Sequence, residues 1–572
     1  MSRHIDVICA AALACTLVLT GLFVNGRALG VMPFTDGGAG DGDSPFTAND
    51  LNGDWDSANA TQITLTGDGG RVTGGGAYIL DSCVHILCAG EYVLSGELAD
   101  GSVIIDAGKN DKIWLLLDGV SLHREDSAAI VVEQAGKVFL TLADGTENFV
   151  SGGASYSPDA VSAKIDGVIY SRDDLTINGG GSLTVTAPYR HGIVCNDDLV
   201  IAGGSISITA AQDGVHANDS VKFANADLTV SAGDDGITVS NDGETAWLYV
   251  ESGRISIPSC YEGLEAIDIT IAGGAIDIRP TDDGINANGR GGNSVIRITG
   301  GDITIINETG RDADGLDSNG SIYISGGNTF ISVNTSSCAL DCGTESGGVC
   351  KISGGTVAAA GGSTMAEGFD SSSEQCFIMY NTSAAEPGTN VTLINEAGTV
   401  LISKTIPCAF SSLVLSAPEL KMGETCTLSI GGNSAQIMVD NSSNSGGFGI
   451  GGMFDGGGWG GGAFGGRGGM GQAPGGQSGE MPEGGGNMPQ MPDGNFPGGD
   501  GFQPPDGELP DGFPGGGDRG GDRFPQRGQD QAQGGAEAGA SAAAVLPETF
   551  AAVGVSALVL LAGILVAFKV KH

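Results

Sequence analysis

The sequence predicts an all-β chain whose body is a right-handed parallel β-helix, a solenoid of stacked three-strand coils. Three observations carry that prediction. A string of an acidic residue, Gly, an apolar residue, any residue, a small residue and then Asn or Ser recurs through the middle of the chain. Two further runs of alternating polarity separate successive copies, as short strands with period two require. The composition, with 101 Gly in 572 residues and only 16% charged side chains, suits strands and turns rather than Glu- and Lys-rich helices.

The copies begin at Asp166-Gly167-Val168, His191-Gly192-Ile193, Asp213-Gly214-Val215, Asp235-Gly236-Ile237, Glu262-Gly263-Leu264, Asp283-Gly284-Ile285, Asp314-Gly315-Leu316 and Glu367-Gly368-Phe369. Cys342-Gly343 reads as a degenerate member. Gly-to-Gly spacings of 21 to 31 residues fit one coil, whereas a propeller blade needs about 40. The second run includes Leu175-Thr176-Ile177 and Ile296-Arg297-Ile298, the third Leu183-Thr184-Val185 and Ile303-Thr304-Ile305. One coil cannot bury its apolar row alone, but stacked coils form a continuous core. The row after Gly, from Val168 to Phe369, is therefore expected to point inward. So is the row two residues on: Tyr170, Cys195, Ala217, Val239, Ala266, Ala287, Ser318 and Ser371.

In chain order, residues 1–30 start with Arg3 and His4 and continue apolar, the pattern of a secretory signal. Residues 31–76 read as an acidic linker and residues 77–440 as the β-helix. Gly90 to Leu142 supplies the opening coils, and Val391 to Val439 closes the C-terminal end, since an uncovered edge invites aggregation. Residues 441–540 are Gly, Pro, Met, Gln and Asp without apolar blocks, which cannot form a core and read as a disordered linker. In residues 546–572, Leu546-Pro547-Glu548-Thr549-Phe550 precedes the apolar run Ala551 to Phe568, then Lys569 and Lys571. That run is long enough to cross a bilayer as a helix. The arrangement resembles the sortase sorting signal of Gram-positive surface proteins, with cleavage after Thr549, although Phe550 stands where the signal has Gly. A plain transmembrane anchor is the alternative, and either places the bulk of the chain outside the cell, on its surface or wall. Twelve Cys in an exported chain allow disulfides, with Cys83–Cys88 and two of Cys338, Cys342 and Cys350 the nearest candidates.

A net charge of −43 excludes ordinary nucleic-acid binding, which needs a basic footprint. If coils stack about 4.8 Å apart, the residues before each Gly make a column of carboxylates. Neighbours in it would repel by roughly 1 kcal/mol in water and about 4 at an effective dielectric constant near 20. Such a line needs cations, protonation or donors, and clustered carboxylates suit Ca²⁺. The candidate metal ligands are Asp213, Asp234, Asp235, Asp282, Asp283, Asp312, Asp314 and Asp317. For any single Asp before Gly, a turn bond to nearby backbone N–H is the alternative. The outward column beside them contains His216, Thr238, Glu265, Asn286, Asp317 and Asp370, a polar stripe on which an extended polymer can lie. Tyr189, Trp247 and Tyr261 are candidate stacking platforms. Arg190, Arg279 and Arg311 adjoin the acids and are candidate bases for a lyase, or partners in charge pairs.

The repeats, with Leu115-Leu116-Leu117-Asp118-Gly119-Val120 and Leu140-Thr141-Leu142-Ala143-Asp144-Gly145-Thr146-Glu147-Asn148 before them, resemble a family of bacterial extracellular carbohydrate-binding proteins. The resemblance spans about Ala77 to Val439. It implies a pectate-lyase-like β-helix, bound Ca²⁺, and binding rather than cleavage of polygalacturonate and plant-wall polysaccharides; a Ca²⁺-dependent polysaccharide lyase and a structural surface adhesin without a defined glycan are the alternatives.

Overall fold

A computed structural model describes residues 44–55, 59–241, 245–289 and 292–445. Residues 1–30, read as a signal segment, the Gly-rich linker and the C-terminal motif with Thr549 lie outside the described residues. Among the described residues no helix is long and apolar enough to cross a membrane.

The described chain is nearly all β and winds into a parallel solenoid of about ten coils. One face is a twelve-strand sheet that contains the Asp-Gly strands, from Ala77–Leu80 to Leu340–Cys342. The second and third runs of each coil stack in a separate sheet, for example Leu175 on Leu199 on Val221 on Leu248 and Leu183 on Ile206 on Leu228 on Ile255. One core runs through the interior, where Ile193, Val215, Ile237, Leu264, Ile285 and Leu316 are all fully buried. Each such side chain contributes about 1.5–3 kcal/mol by leaving water. In-register stacking is what allows every coil to share it.

Both ends are closed by antiparallel pairing. Thr61–Gly67 pairs antiparallel with Gly70–Thr73 and parallel with Gly90–Leu98, so strands begin upstream of residue 77. At the other end Phe410–Ser416 runs antiparallel to Val357–Gly361 of the last coil, and a four-strand antiparallel sheet between Thr389 and Met438 follows. The free edge is thereby covered.

Three expectations about the repeat are corrected. Gly167 pairs with His191 and Ile169 with Ile193, one residue away from the alignment of the Asp-Gly strings. Tyr170 therefore stacks on Val194 in the outward column instead of pointing into the core, because a one-residue offset exchanges the faces of a strand. It is still buried, since the short helix Pro158–Ser162 covers it. The degenerate copy is also displaced. Leu340 pairs with Leu316 and Asp341 with Asp317, so Cys338-Ala339 occupies the acid-Gly position in place of Cys342-Gly343. Finally, Glu367-Gly368-Phe369 lies beyond the last strand of this sheet, and Asp370 and Ser371 do not extend its columns. The ten described cysteines are all free. Cys88 lies with its sulfur against the Tyr92 hydroxyl, 3.8 Å away, rather than on Cys83.

Candidate functional site

The corner where each Asp-Gly string begins is tight. A side chain added at Gly263 would collide with the Gly284 carbonyl, and one at Gly284 would lie 2.5 Å from that of Gly315. Glycine lets successive coils approach there, and it brings the preceding acids into line on the rim. One carboxylate oxygen of several acids is used structurally. Asp213, Asp235 and Asp283 accept the backbone N–H of the matching residue one coil on, Asp235 at 3.3 Å, Glu262 at 3.0 Å and Asp314 at 2.6 Å. Asp314 accepts from Cys338 N–H at 2.5 Å. The turn role of these residues is real, but it occupies only their Oδ1 atoms. The second oxygens of Asp213 and Asp235 take His191 and His216, and Thr238, respectively.

The outward column runs Val194, His216, Thr238, Glu265, Asn286, Asp317 and Asp341. With the rim acids it makes a two-lane acidic stripe. Burial followed by repulsion from Glu265 and Asp213 pushes Asp235 up to about 8. Burial with Glu265 and Asp235 beside it pushes Glu262 to about 9. Asp283, Asp314 and Asp317 each rise to about 7, through burial first and then through one another and Asp341. Asp234 is raised by burial and by Asp213. Asp213 behaves oppositely. Burial would raise it, but hydrogen bonds from His191 and His216 outweigh that and hold it well below the usual range. His216 is in turn raised, as its bond to Asp213 outweighs its own burial.

These residues fit a hard cation. The carboxylates of Asp213, Asp234 and Asp235 offer oxygens all within 4.8 Å of one another. Asn286, 9% exposed, donates its amide N–H to Glu262 at 3.0 Å, while its buried Oδ1 has no hydrogen-bond partner. This orphan carbonyl oxygen, flanked in its column by Glu265 and Asp317, costs free energy while unpaired, and its lone pairs suit a hard cation.

Other expected residues fall outside the cluster. Asp282 is half-buried, hydrogen-bonds the Tyr261 hydroxyl and adds its charge to Asp283 and Asp317. Asp312 is exposed with φ +54°, and it acts on Asp314 only through its charge. Asp370 is exposed off the sheet, its carboxylate held by Ser372 N–H at 2.7 Å. Arg190 lies 3.7 Å from Asp166 and against the Tyr189 ring, and Arg279 lies 3.3 Å from Asp277. Arg311 is exposed. Trp247 has Lys222 over its ring, whereas Tyr261 is 48% exposed.

Sequence reasoning put Glu262 in the acidic column without naming it a ligand, left Asp341 out of the outward column, and missed His191 as a partner of His216. Correct strand register is the signal that supplies Asp341. It also missed a cleft of about 240 Å³ on another face, lined by Asn49, Asn52, Trp55, Glu91, Trp114 and Thr141.

Fold and stripe together define a β-helical solenoid with one acidic face. The family described as carbohydrate-binding domain-containing protein matches residues 80–368, just over half of the chain, and the chain belongs to that family. A carbohydrate-binding domain-containing protein of Acetivibrio thermocellus is 34% identical over 209 residues, which are 36% of this chain and 65% of that relative's length. Among solved structures, the polysaccharide lyase-like protein from C. thermocellum, as a gadolinium derivative, is 32% identical with a TM-score of 0.38, covering 46% of this chain and 96% of the other.

Proposed function

We propose that this chain binds an acidic polysaccharide, of the polygalacturonate or plant-wall kind, along the stripe from His216 to Asp341, with Ca²⁺ between protein and polymer carboxylates. Membership of the carbohydrate-binding family over residues 80–368 is the observation that carries the reading. The stripe supports the finer part. A polyanion cannot approach a row of carboxylates unaided, because each close pair costs several kcal/mol at an effective dielectric constant near 20. Ca²⁺ accepts six to eight oxygens in flexible geometry and can be shared by both partners. Asp213, Asp234 and Asp235 would hold one ion; Asp283, Asp314 and Asp317, with Asn286 Oδ1, would hold others. The same reading keeps the chain outside a Gram-positive cell, exported by residues 1–30 and anchored through residues 546–572. Those assignments rest on sequence alone.

Retention on immobilised polygalacturonate and on cellulose, with Ca²⁺ and with EGTA, tests the reading. Calcium-dependent retention without ultraviolet absorbance from unsaturated uronate is expected. Release of unsaturated product would replace binding by cleavage, and equal retention in EGTA would remove the ion from the interface.

A further inference from the structure

The stripe does not have the same donors along its length. Beyond Asp235 the named ligands are oxygens, but at its start two imidazoles from neighbouring coils converge on one carboxylate atom. His191 Nδ1 lies 3.1 Å and His216 Nδ1 2.8 Å from Asp213 Oδ2. One ligand atom from each of the three residues lies within 4.8 Å of the other two, in a chain with only six His. Solvent is largely excluded: the side chains of Asp213, His191 and His216 are 7%, 12% and 26% exposed.

With its proton on Nδ1, His191 donates to Asp213 Oδ2 and the three residues form a hydrogen-bonded triad; the other tautomer frees the nitrogen's lone pair. The Asp213 N–H donates to His191 Nδ1 at 3.2 Å, which makes that nitrogen a lone-pair acceptor. The same nitrogen faces Asp213 Oδ2, also a lone-pair atom. In that tautomer the single Nδ1 lone pair faces Asp213 Oδ2 across 3.1 Å, and a metal ion that took it would replace the N–H contact.

We propose that His191, Asp213 and His216 bind a divalent transition metal of the Zn²⁺ class, at a site chemically distinct from oxygen-only Ca²⁺ sites farther along. A tetrahedral ion with bonds of about 2.0–2.2 Å sets its ligand atoms about 3.3 Å apart, so the two imidazole-to-Oδ2 separations need to open by only a few tenths of an ångström, while the two imidazoles lie within 4.8 Å of each other. Imidazole nitrogen selects Zn²⁺, Ni²⁺ or Cu²⁺ over Ca²⁺, which prefers oxygen. Three protein ligands leave one position for water or a ligand oxygen. The site does not depend on the polysaccharide reading, although the two share Asp213.

The test is calorimetric titration of the intact chain with Zn²⁺ in excess Ca²⁺, together with the visible spectrum of the Co²⁺ form. One Zn²⁺ is expected to bind despite the Ca²⁺, with Co²⁺ giving the intense d–d bands of a tetrahedral site with nitrogen donors. His191→Ala and His216→Ala should each weaken Zn²⁺ binding at least about tenfold, while Asp317→Asn leaves it unchanged. Should the alanine variants misfold, the wild-type Co²⁺ spectrum still decides. Octahedral, all-oxygen Co²⁺, no Zn²⁺ uptake above Ca²⁺, or undiminished uptake by folded His variants overturns the proposal. Retention on polygalacturonate in Ca²⁺ is scored separately, so either reading can fail alone.

Discussion

In the early coils the outward column of the Asp-Gly sheet is Val131, Tyr170 and Val194; in the later coils it is His216, Thr238, Glu265, Asn286, Asp317 and Asp341. The strands, spacing and core beneath are alike. The difference is what lies above. The early column packs against Ala160 of the inserted helix Pro158–Ser162, whose N-terminus is capped by the Ser157 side chain accepting Ala160 N–H at 3.3 Å. The Tyr170 hydroxyl accepts from Asn196 at 2.9 Å, so even its polar end has a partner. Among the described residues no α-helix packs on the later column, and its partly buried carboxylates crowd one another until burial and repulsion raise several pKa values to about 7–9. A repeat therefore specifies a strand position, and the insertion between repeats decides whether that position is packed under a helix or joins the acidic stripe.

The sharpest way to separate the two regions is to damage the covered one. Tyr170→Ala should cost about 3–5 kcal/mol in urea denaturation while leaving Ca²⁺ affinity unchanged in calorimetry. Loss of Ca²⁺ binding in parallel would mean that the regions are not independent. The converse is Asp283→Asn with Asp317→Asn. The Ca²⁺ site at Asp283 and Asp317 should add about 2.7 kcal/mol when Ca²⁺ is a hundredfold above its dissociation constant. The double variant should lose most of that gain, yet be no less stable than wild type in EGTA, because its repulsion is relieved.

The pH dependence follows with an unusual sign. Asp283, Asp314 and Asp317 rise from 3.8 in the open chain to about 7, and Glu262 from 4.5 to about 9. The folded state therefore binds more protons than the unfolded state, and this contribution is complete below about pH 4 and lost as pH rises through 7 to 9. In EGTA the melting temperature should fall between pH 5 and 9. Ca²⁺ should flatten the fall, and so should the double Asn variant, whereas Tyr170→Ala should keep the slope. Asp213, lowered by its histidines, acts in the opposite direction and weakens the fold only as pH drops. The smallest effect belongs to Arg190, near the boundary. Its 3.7 Å pair with Asp166 is solvent-exposed, so Arg190→Gln should change stability by roughly 0–1 kcal/mol. Polysaccharide retention should not change, and a lost cleavage activity would instead mark it as a base.

Much of this was legible because it repeats. Acid-Gly spacing exposed the coil, and the period-two runs exposed the faces. Where the string degenerated, the reading slipped. Ala339 stands where Gly was expected, so Asp341 was passed over in favour of Asp370, which the structure leaves off the sheet. Tyr170 was placed inside because an apolar side chain in a strand gives no sign of which buried surface it meets. His191 and His216 are 25 residues apart in sequence but adjacent across coils.

Local chemistry alone determined that this chain would wind into coils: glycine at a corner too tight for a side chain, branched residues at alternate positions, and acids before the turn. Tertiary structure decided which acids meet, which oxygen of each is used by the backbone, and which part of the outward column is covered by a helix. The physical reason is register. Stacking places residues 21 to 31 apart in direct contact, and an offset of one residue exchanges interior for surface, a choice settled only by what packs on either side.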